Sequence, residues 1–223
     1  MFAWLKKLIH IISSALFPFS CVDCKKEPRL LCFDCAKKLT PNNEIITNNI
    51  FALFYYHDPI IRKLIWYLKY KQINEVSKVF VPFFRDKILS LIEDDLNLST
   101  YVQLNKIIIV PTPMSKIRRR KRHTNQAEIL AQAIVENNNF LQYESKLISK
   151  IKHTKAQVDC QNKSERLKNI KGTFQIKDPA NIKNKIYIVI DDVITTGATM
   201  KEITKLLKKS GAKQVFGIAI AHG

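Results

Sequence analysis

Apolar residues run along this chain in two rhythms. Solid blocks, IFALFYY at 50–56, KIIIVPTP at 106–113, IYIVI at 186–190 and QVFGIAIA at 214–221, predict buried strands. Between them the apolar positions fall three and four apart. Asp58-Pro59 opens one helix, with Asp58 as N-cap and Pro59 in the first turn, and Ile61, Leu64, Ile65 and Leu68 line its inner face. Residues 75–93 predict a second helix with a break or bend at Pro82. NQAEILAQAIVENNN starts a third at Asn125, and a fourth spans about Gly197 to Ser210 with Gly211 as its stop. KLISKI adds a short strand, whereas TPNNEIITNN and residues 153–173 read as polar connections. Strands alternating with helices predict an α/β fold: a mostly parallel sheet with flanking helices.

Two segments near the N-terminus break this rhythm. In MFAWLKKLIHIISSALFPFS, Phe2, Leu5, Ile9, Ile12 and Leu16 recur at helical spacing, while Trp4, Leu8 and Ile11 widen the apolar face. The small residues of a signal-peptide cleavage site are missing. A docked helix is expected, with a membrane-surface helix as its rival. No apolar run reaches bilayer length, so no transmembrane segment is expected. Next come CVDC, with Cys21 and Cys24, and CFDC, with Cys32 and Cys35. Two such knuckles can surround one metal ion with four thiolates, and structural zinc is the expectation. An iron–sulfur centre or paired disulfides are the alternatives. Lys25, Lys26 and Arg29 would offset the charge of a tetrathiolate. Reduced thiolates point to the cytoplasm, near the inner face of the membrane if the first helix lies on it. The expected division is 1–45, helix and zinc knuckle, and 46–223, the α/β domain.

Composition changes this picture in one respect. The 223 residues are 46% apolar, ordinary for a globular chain, but 37 Lys and Arg against 19 Asp and Glu leave a net charge of +18. Such an excess suits a polyanionic partner such as nucleic acid, acidic lipid or phosphorylated ligands; a lysine-rich, merely solvated surface is the plainer reading.

The sharpest chemistry lies in IYIVIDDVITTGATM, 186–200. A buried strand ends on Asp191 and Asp192, then runs through Thr195, Thr196, Gly197, Ala198 and Thr199 into a helix. Ligands of parallel sheets sit beyond the strands' carboxyl ends. Unpaired N–H groups and the positive dipole at a helix start accommodate a phosphate, and Gly197 lets backbone approach it. Paired carboxylates next to a phosphate cradle suit a sugar phosphate, accepting from vicinal hydroxyls directly or through the waters of a magnesium ion. The implied ligand is a ribose with a 5′-phosphate.

IVIDDVITTGAT resembles the phosphoribosyl pyrophosphate (PRPP) signature of type I phosphoribosyltransferases. The chain as a whole resembles the ComF family of competence-associated, phosphoribosyltransferase-like proteins. LFPFSCVDC, LKY at 68–70, IVPTP at 109–113, RHTNQAEILA at 122–131, Thr154 with Gln157, and RLKNIKGTF at 166–174 carry that likeness. His123 and Thr124 depart from the family's glycine and phenylalanine, and no glycine follows Tyr70.

The resemblance implies that Asp191 and Asp192 hold the ribose hydroxyls, Thr195 to Thr199 the 5′-phosphate, and the Pro111–Pro113 loop the pyrophosphate, with magnesium. Of the six basic residues in Lys116–Arg122, Arg122 is the first choice to grip pyrophosphate, the others forming a solvated or nucleic-acid-facing patch. It further implies a role in DNA uptake during natural transformation, binding single-stranded DNA alongside a helicase-like partner. Tyr55, Tyr56, Trp66, Tyr67 and Tyr70 are candidate base platforms, with Tyr55 and Trp66 expected in the core. The alternatives are a nucleobase salvage transferase and a non-catalytic DNA-binding adaptor regulated by PRPP. In 6-oxopurine salvage enzymes an aspartate commonly stands where this chain has Thr195, which counts against salvage. The last strand is followed almost at once by Gly223, so any acceptor pocket is expected from residues before about 105.

Overall fold

The computed structural model describes residues 20–26, 29–47, 49–71, 74–94, 101–102, 106–115, 117, 119–120, 124–151 and 170–223. The expected N-terminal helix, Arg122, the Thr154–Gln157 pair and residues 166–169 lie outside them. The chain divides into two compact units, 1–40 and 41–223. Among the described residues the first holds the cysteine knuckles and one short helix, α1 (Phe33–Ala36).

The second unit is built on a six-stranded sheet: β1 (Glu44–Thr47), β2 (Ile50–Tyr55), β3 (Ile107–Pro111), β4 (Leu141–Tyr143), β7 (Ile186–Ile194) and β8 (Gln214–His222). Their order is β1-β2-β8-β7-β3-β4, and only β1 runs antiparallel to its neighbour. A separate antiparallel pair joins β5 (Ile148–Lys150) to β6 (Phe174–Ile176). The sheet is thus mostly parallel, as the alternation of strand and helix patterns implies.

Among the described residues four helices flank it: α2 (Pro59–Trp66), α3 (Glu75–Glu93), α4 (Gln126–Glu136) and α5 (Ala198–Lys209). Asp58 caps α2, its Oδ1 accepting from the amides of Ile60 (2.8 Å) and Ile61 (3.0 Å), and Ile61, Leu64, Ile65 and Leu68 are fully buried. α3 runs uninterrupted through Pro82, so no break occurs there; Phe80, Val81 and Phe84 around it are buried and hold the helix in place. α4 packs on β3 and β7, α5 on β7 and β8. Tyr187 and Val189 share the core under α5 with Ile203 and Leu207. Strand alternation turns Ile186, Ile188 and Ile190 to the other face.

Two glycines are fixed by geometry. A Cβ on Gly217 would lie 2.5 Å from Met200 Cγ, so the close seating of α5 on β8 depends on its absence. Gly197, at the start of α5, has φ +71°, a left-handed conformation that other residues adopt at a cost.

Three strands escape the apolar pattern: β1, β4 and β6, each of three or four residues. β7 also runs on to Ile194, past both aspartates, because Val193 and Ile194 pair with Ala221 and His222. Tyr55 and Trp66 are not core residues. Each is 45% exposed; Trp66 projects from α2 away from its buried stripe, and Tyr55 ends β2 stacked on His57.

Candidate functional site

β3 and β7 lie side by side, yet the chain leaves them in opposite directions. From β3 it crosses through α4 to β4 at the sheet's edge; from β7 it crosses through α5 to β8. At such a switch point the loops diverge and leave a crevice at the carboxyl ends of the strands. Pro111 pairs with Ile190 at this level, so the ends of β3 and β7 bring the Pro111–Pro113 loop beside Asp191 and Asp192.

The loop after β3 is tied at both ends. The Thr112 amide donates to the Ile190 carbonyl (2.9 Å), and the Thr112 side chain hydrogen-bonds Asp191. Asn125, buried, donates from Nδ2 to the Thr112 carbonyl (3.0 Å) and accepts at Oδ1 from the Ala127 amide (3.2 Å). One side chain therefore caps α4 and fixes the loop, which gives the asparagine of RHTNQ a structural cause.

The two acids are half-buried, not exposed strand-end groups. Each binds the next backbone amide: Asp191 Oδ1 accepts from Asp192 (2.9 Å), Asp192 Oδ1 from Val193 (2.6 Å). Asp192 Oδ2 also meets Lys69 Nζ at 3.1 Å, with both side chains largely shielded from solvent. Lys69 sits in a single π-helical turn, Tyr67–Lys71, that continues α2. Such turns recur at functional sites because they redirect side chains out of helical register. The sequence marked Lys69 only as part of LKY; periodicity carries no signal for its direction. Burial, then the charge of Asp192, pushes Asp191 up to about 7, against the Asp192 amide, Thr112 and Lys69.

Beyond Ile194 the chain turns through Thr195, Thr196 and Gly197 into α5. Thr196 Oγ1 accepts from the Ala198 amide (3.4 Å), and no side chain caps the helix at Gly197. The turn is anchored from β8, another feature the sequence did not disclose. His222 Nε2 lies 3.0 Å from the Thr195 carbonyl, and its Nδ1 3.0 Å from Glu44 Oε2 on β1. The Gly223 amide donates to Ile194 (3.0 Å). A doubled acid, a left-handed glycine and a helix start thus follow one another at the end of β7.

The sequence profile of the phosphoribosyl transferase domain matches residues 102–222, more than half of the 223. This chain belongs to that family. It is of the ComF type within it: it is 35% identical to competence protein F of Haemophilus influenzae over 121 residues, 51% of this chain and 50% of that protein. Competence protein ComFC of Streptococcus pneumoniae is 33% identical over 144 residues, 63% of this chain and 53% of that one. The DNA utilization protein YhgH of Escherichia coli O157:H7 is 28% identical over 188 residues, covering 83% and 75%. The chain spans about half the length of the two competence proteins. Among solved structures, a hypoxanthine phosphoribosyltransferase from Staphylococcus aureus aligns over 54% of this chain and 58% of its own, at 18% identity and a TM-score of 0.31.

This ComF-type chain carries a second candidate site in its first unit. The sulfurs of Cys21, Cys24, Cys32 and Cys35 all lie within 4.8 Å of one another, and those of Cys24 and Cys32 are 3.6 Å apart. Four thiolates around one zinc ion stand roughly 3.8 Å apart for Zn–S bonds of about 2.3 Å, so the cluster fits. Burial alone would raise Cys21, but the amides of Cys32, Asp23 and Cys24 outweigh it and draw that thiol down to about 6. Burial and the neighbouring thiols push Cys35 up. One thiolate forms readily and discourages the next, so four require a cation at their centre. The cluster could hold a metal such as zinc. Among the described residues no helix is long and apolar enough to cross a membrane.

Two outcomes are expected. Cys21→Ser with Cys24→Ser removes bound zinc and opens residues 20–40 to protease; unchanged metal content by mass spectrometry would contradict the assignment. Asp191 has a folded pKa above its unfolded value near 4, so its contribution is full at low pH and is lost as pH rises through about 7. Asp191→Asn should therefore stabilise the protein at pH 8, by on the order of 1–3 kcal/mol, and much less at pH 4.5. Equal gains in urea unfolding at both values would contradict the strained acid.

Proposed function

We propose that this chain binds PRPP at the β3–β7 crevice and acts in DNA uptake, handling single-stranded DNA on its basic surface. The observation that carries the reading is the half-buried Asp191–Asp192 pair beside a left-handed Gly197 at the start of α5. The names of the similar proteins, competence and DNA utilization proteins, support the biological setting.

In this reading Asp191 and Asp192 accept hydrogen bonds from the vicinal ribose hydroxyls. Lys69 balances the negative charge of the pair, whose carboxylates would otherwise repel each other. The 5′-phosphate lies over Thr195–Thr199, where backbone amides and the dipole of α5 point at it. His222 holds the Thr195 carbonyl, so that the turn keeps its shape while the ligand enters. The Pro111–Pro113 loop, fixed by Asn125, faces the pyrophosphate, with Arg122 as its bidentate partner. Magnesium bound with PRPP would supply further positive charge to the pyrophosphate oxygens. If an acceptor attacks C1, stabilising the departing pyrophosphate is the main electrostatic demand on these residues.

Replacing both acids with alanine should abolish the heat of PRPP binding in a calorimetric titration while the protein stays folded by circular dichroism; unchanged heats would sink the ribose assignment. The same samples, given magnesium–PRPP with a panel of nucleobases or short single-stranded DNA, read the chemistry. Pyrophosphate release that requires one acceptor and both acids identifies a transferase. PRPP binding without release points to a ligand-gated DNA-binding protein or to an acceptor outside the panel.

A further inference from the structure

α5 faces the core with Met200, Ile203 and Leu207, and its other side borders a groove closed by the β1–β2 turn. The groove has a volume of about 270 Å³, and Lys201, Thr204, Lys205 and Lys208 line one wall, Thr47 and Asn49 the other. No acidic residue lines it, and none of the three lysines forms an ion pair among the described residues. The one acid on α5, Glu202, is turned elsewhere and accepts from the Gly172 amide at 2.8 Å.

Helix stability favours Lys208, in the last turn, but does not account for the rest of the row. Like charges three and four residues apart repel by about 0.2–0.5 kcal/mol per pair, and a cation in the first turn, as Lys201 is, opposes the helix dipole. The row also has a direction. Lys201 Cε passes within 3.6 Å of where a Cβ on Gly197 would stand, so one end of the groove abuts the turn that cradles the phosphate.

We propose that this groove tracks the sugar–phosphate backbone of a single nucleic-acid strand, an assignment that rests on the strand-handling role proposed above. From Lys201 to Lys208 the row spans about 10 Å of helix. That is the reach of about two phosphates of a single strand, which stand farther apart than the duplex's axial rise of about 3.4 Å per nucleotide. Threonine and asparagine on the walls suit phosphate and sugar oxygens. The groove lies open between a helix and a turn, with Ile50 and Val215 between its polar walls. With no aromatic side chain in the groove, binding is led by charge and is insensitive to base identity.

The test compares Lys205→Ala/Lys208→Ala with Lys78→Ala/Arg85→Ala, an equal loss of charge on α3. Binding of labelled oligo-dT and of an abasic deoxyribose-phosphate strand is followed from 50 to 300 mM salt. The groove variant should lower the slope of log K against log salt by about 1.4, at roughly 0.7 per phosphate contact, for both strands. The α3 variant should keep the wild-type slope, and PRPP binding should be intact in both. Lys205→Gln/Lys208→Gln, which keeps the stems, should repeat the effect if the alanine pair disturbs folding. Equal slope changes in the groove and α3 variants, or none in the groove variant, would overturn the groove while leaving strand binding standing. A wild type that binds no strand overturns both readings, as does lysine-dependent binding to phosphatidylserine vesicles alone.

Discussion

The adjacency of β3 and β7, with the chain departing from them to opposite sides, is the constraint on which the rest depends. It separates the two following loops and leaves a crevice between strand ends that are otherwise hydrogen-bonded. Every site feature in the second unit answers to that separation. Thr112 and Asn125 hold the β3 loop on one side; His222 and Gly223 hold the β7 turn on the other. The glycine at 217 serves the same end, since without it α5 could not sit low enough on β8 to start at the crevice.

Charge is arranged against local stability in both units. Asp191 is pushed up by burial and by its neighbour, and Lys69 offsets only part of this. In the knuckle, amides favour one thiolate while burial and crowding oppose the others. A group held in an unfavourable ionisation state is a common mark of a site completed by something else. In the knuckle a metal could supply the completing charge; in the crevice the proposed ribose hydroxyls and their cation would do so.

Much of this was legible beforehand because the signals are local. The solid strand cores, the Asp58 and Asn125 caps, the doubled acid and the paired CxxC knuckles each rest on adjacent residues. What stayed hidden depends on tertiary pairing. EIIT, LQY and FQI are too short to show a period, and β7 extends past its acids only because β8 is there to pair with it. Lys69 is aimed by a π turn that no regular spacing announces, and His222 meets Glu44 across the length of the domain. Trp66 departs from expectation for a different reason. Its aromatic character favours burial, but its place on the helix, opposite Ile61, Leu64, Ile65 and Leu68, leaves it half-exposed.

The most direct measurement is a crystal structure of the protein soaked with magnesium–PRPP. The account predicts ribose hydroxyls on Asp191 and Asp192, the 5′-phosphate over Thr195–Thr199, and the pyrophosphate at the Pro111–Pro113 loop. PRPP bound elsewhere, or bound in the crevice with its phosphate away from the Gly197 turn, would contradict it.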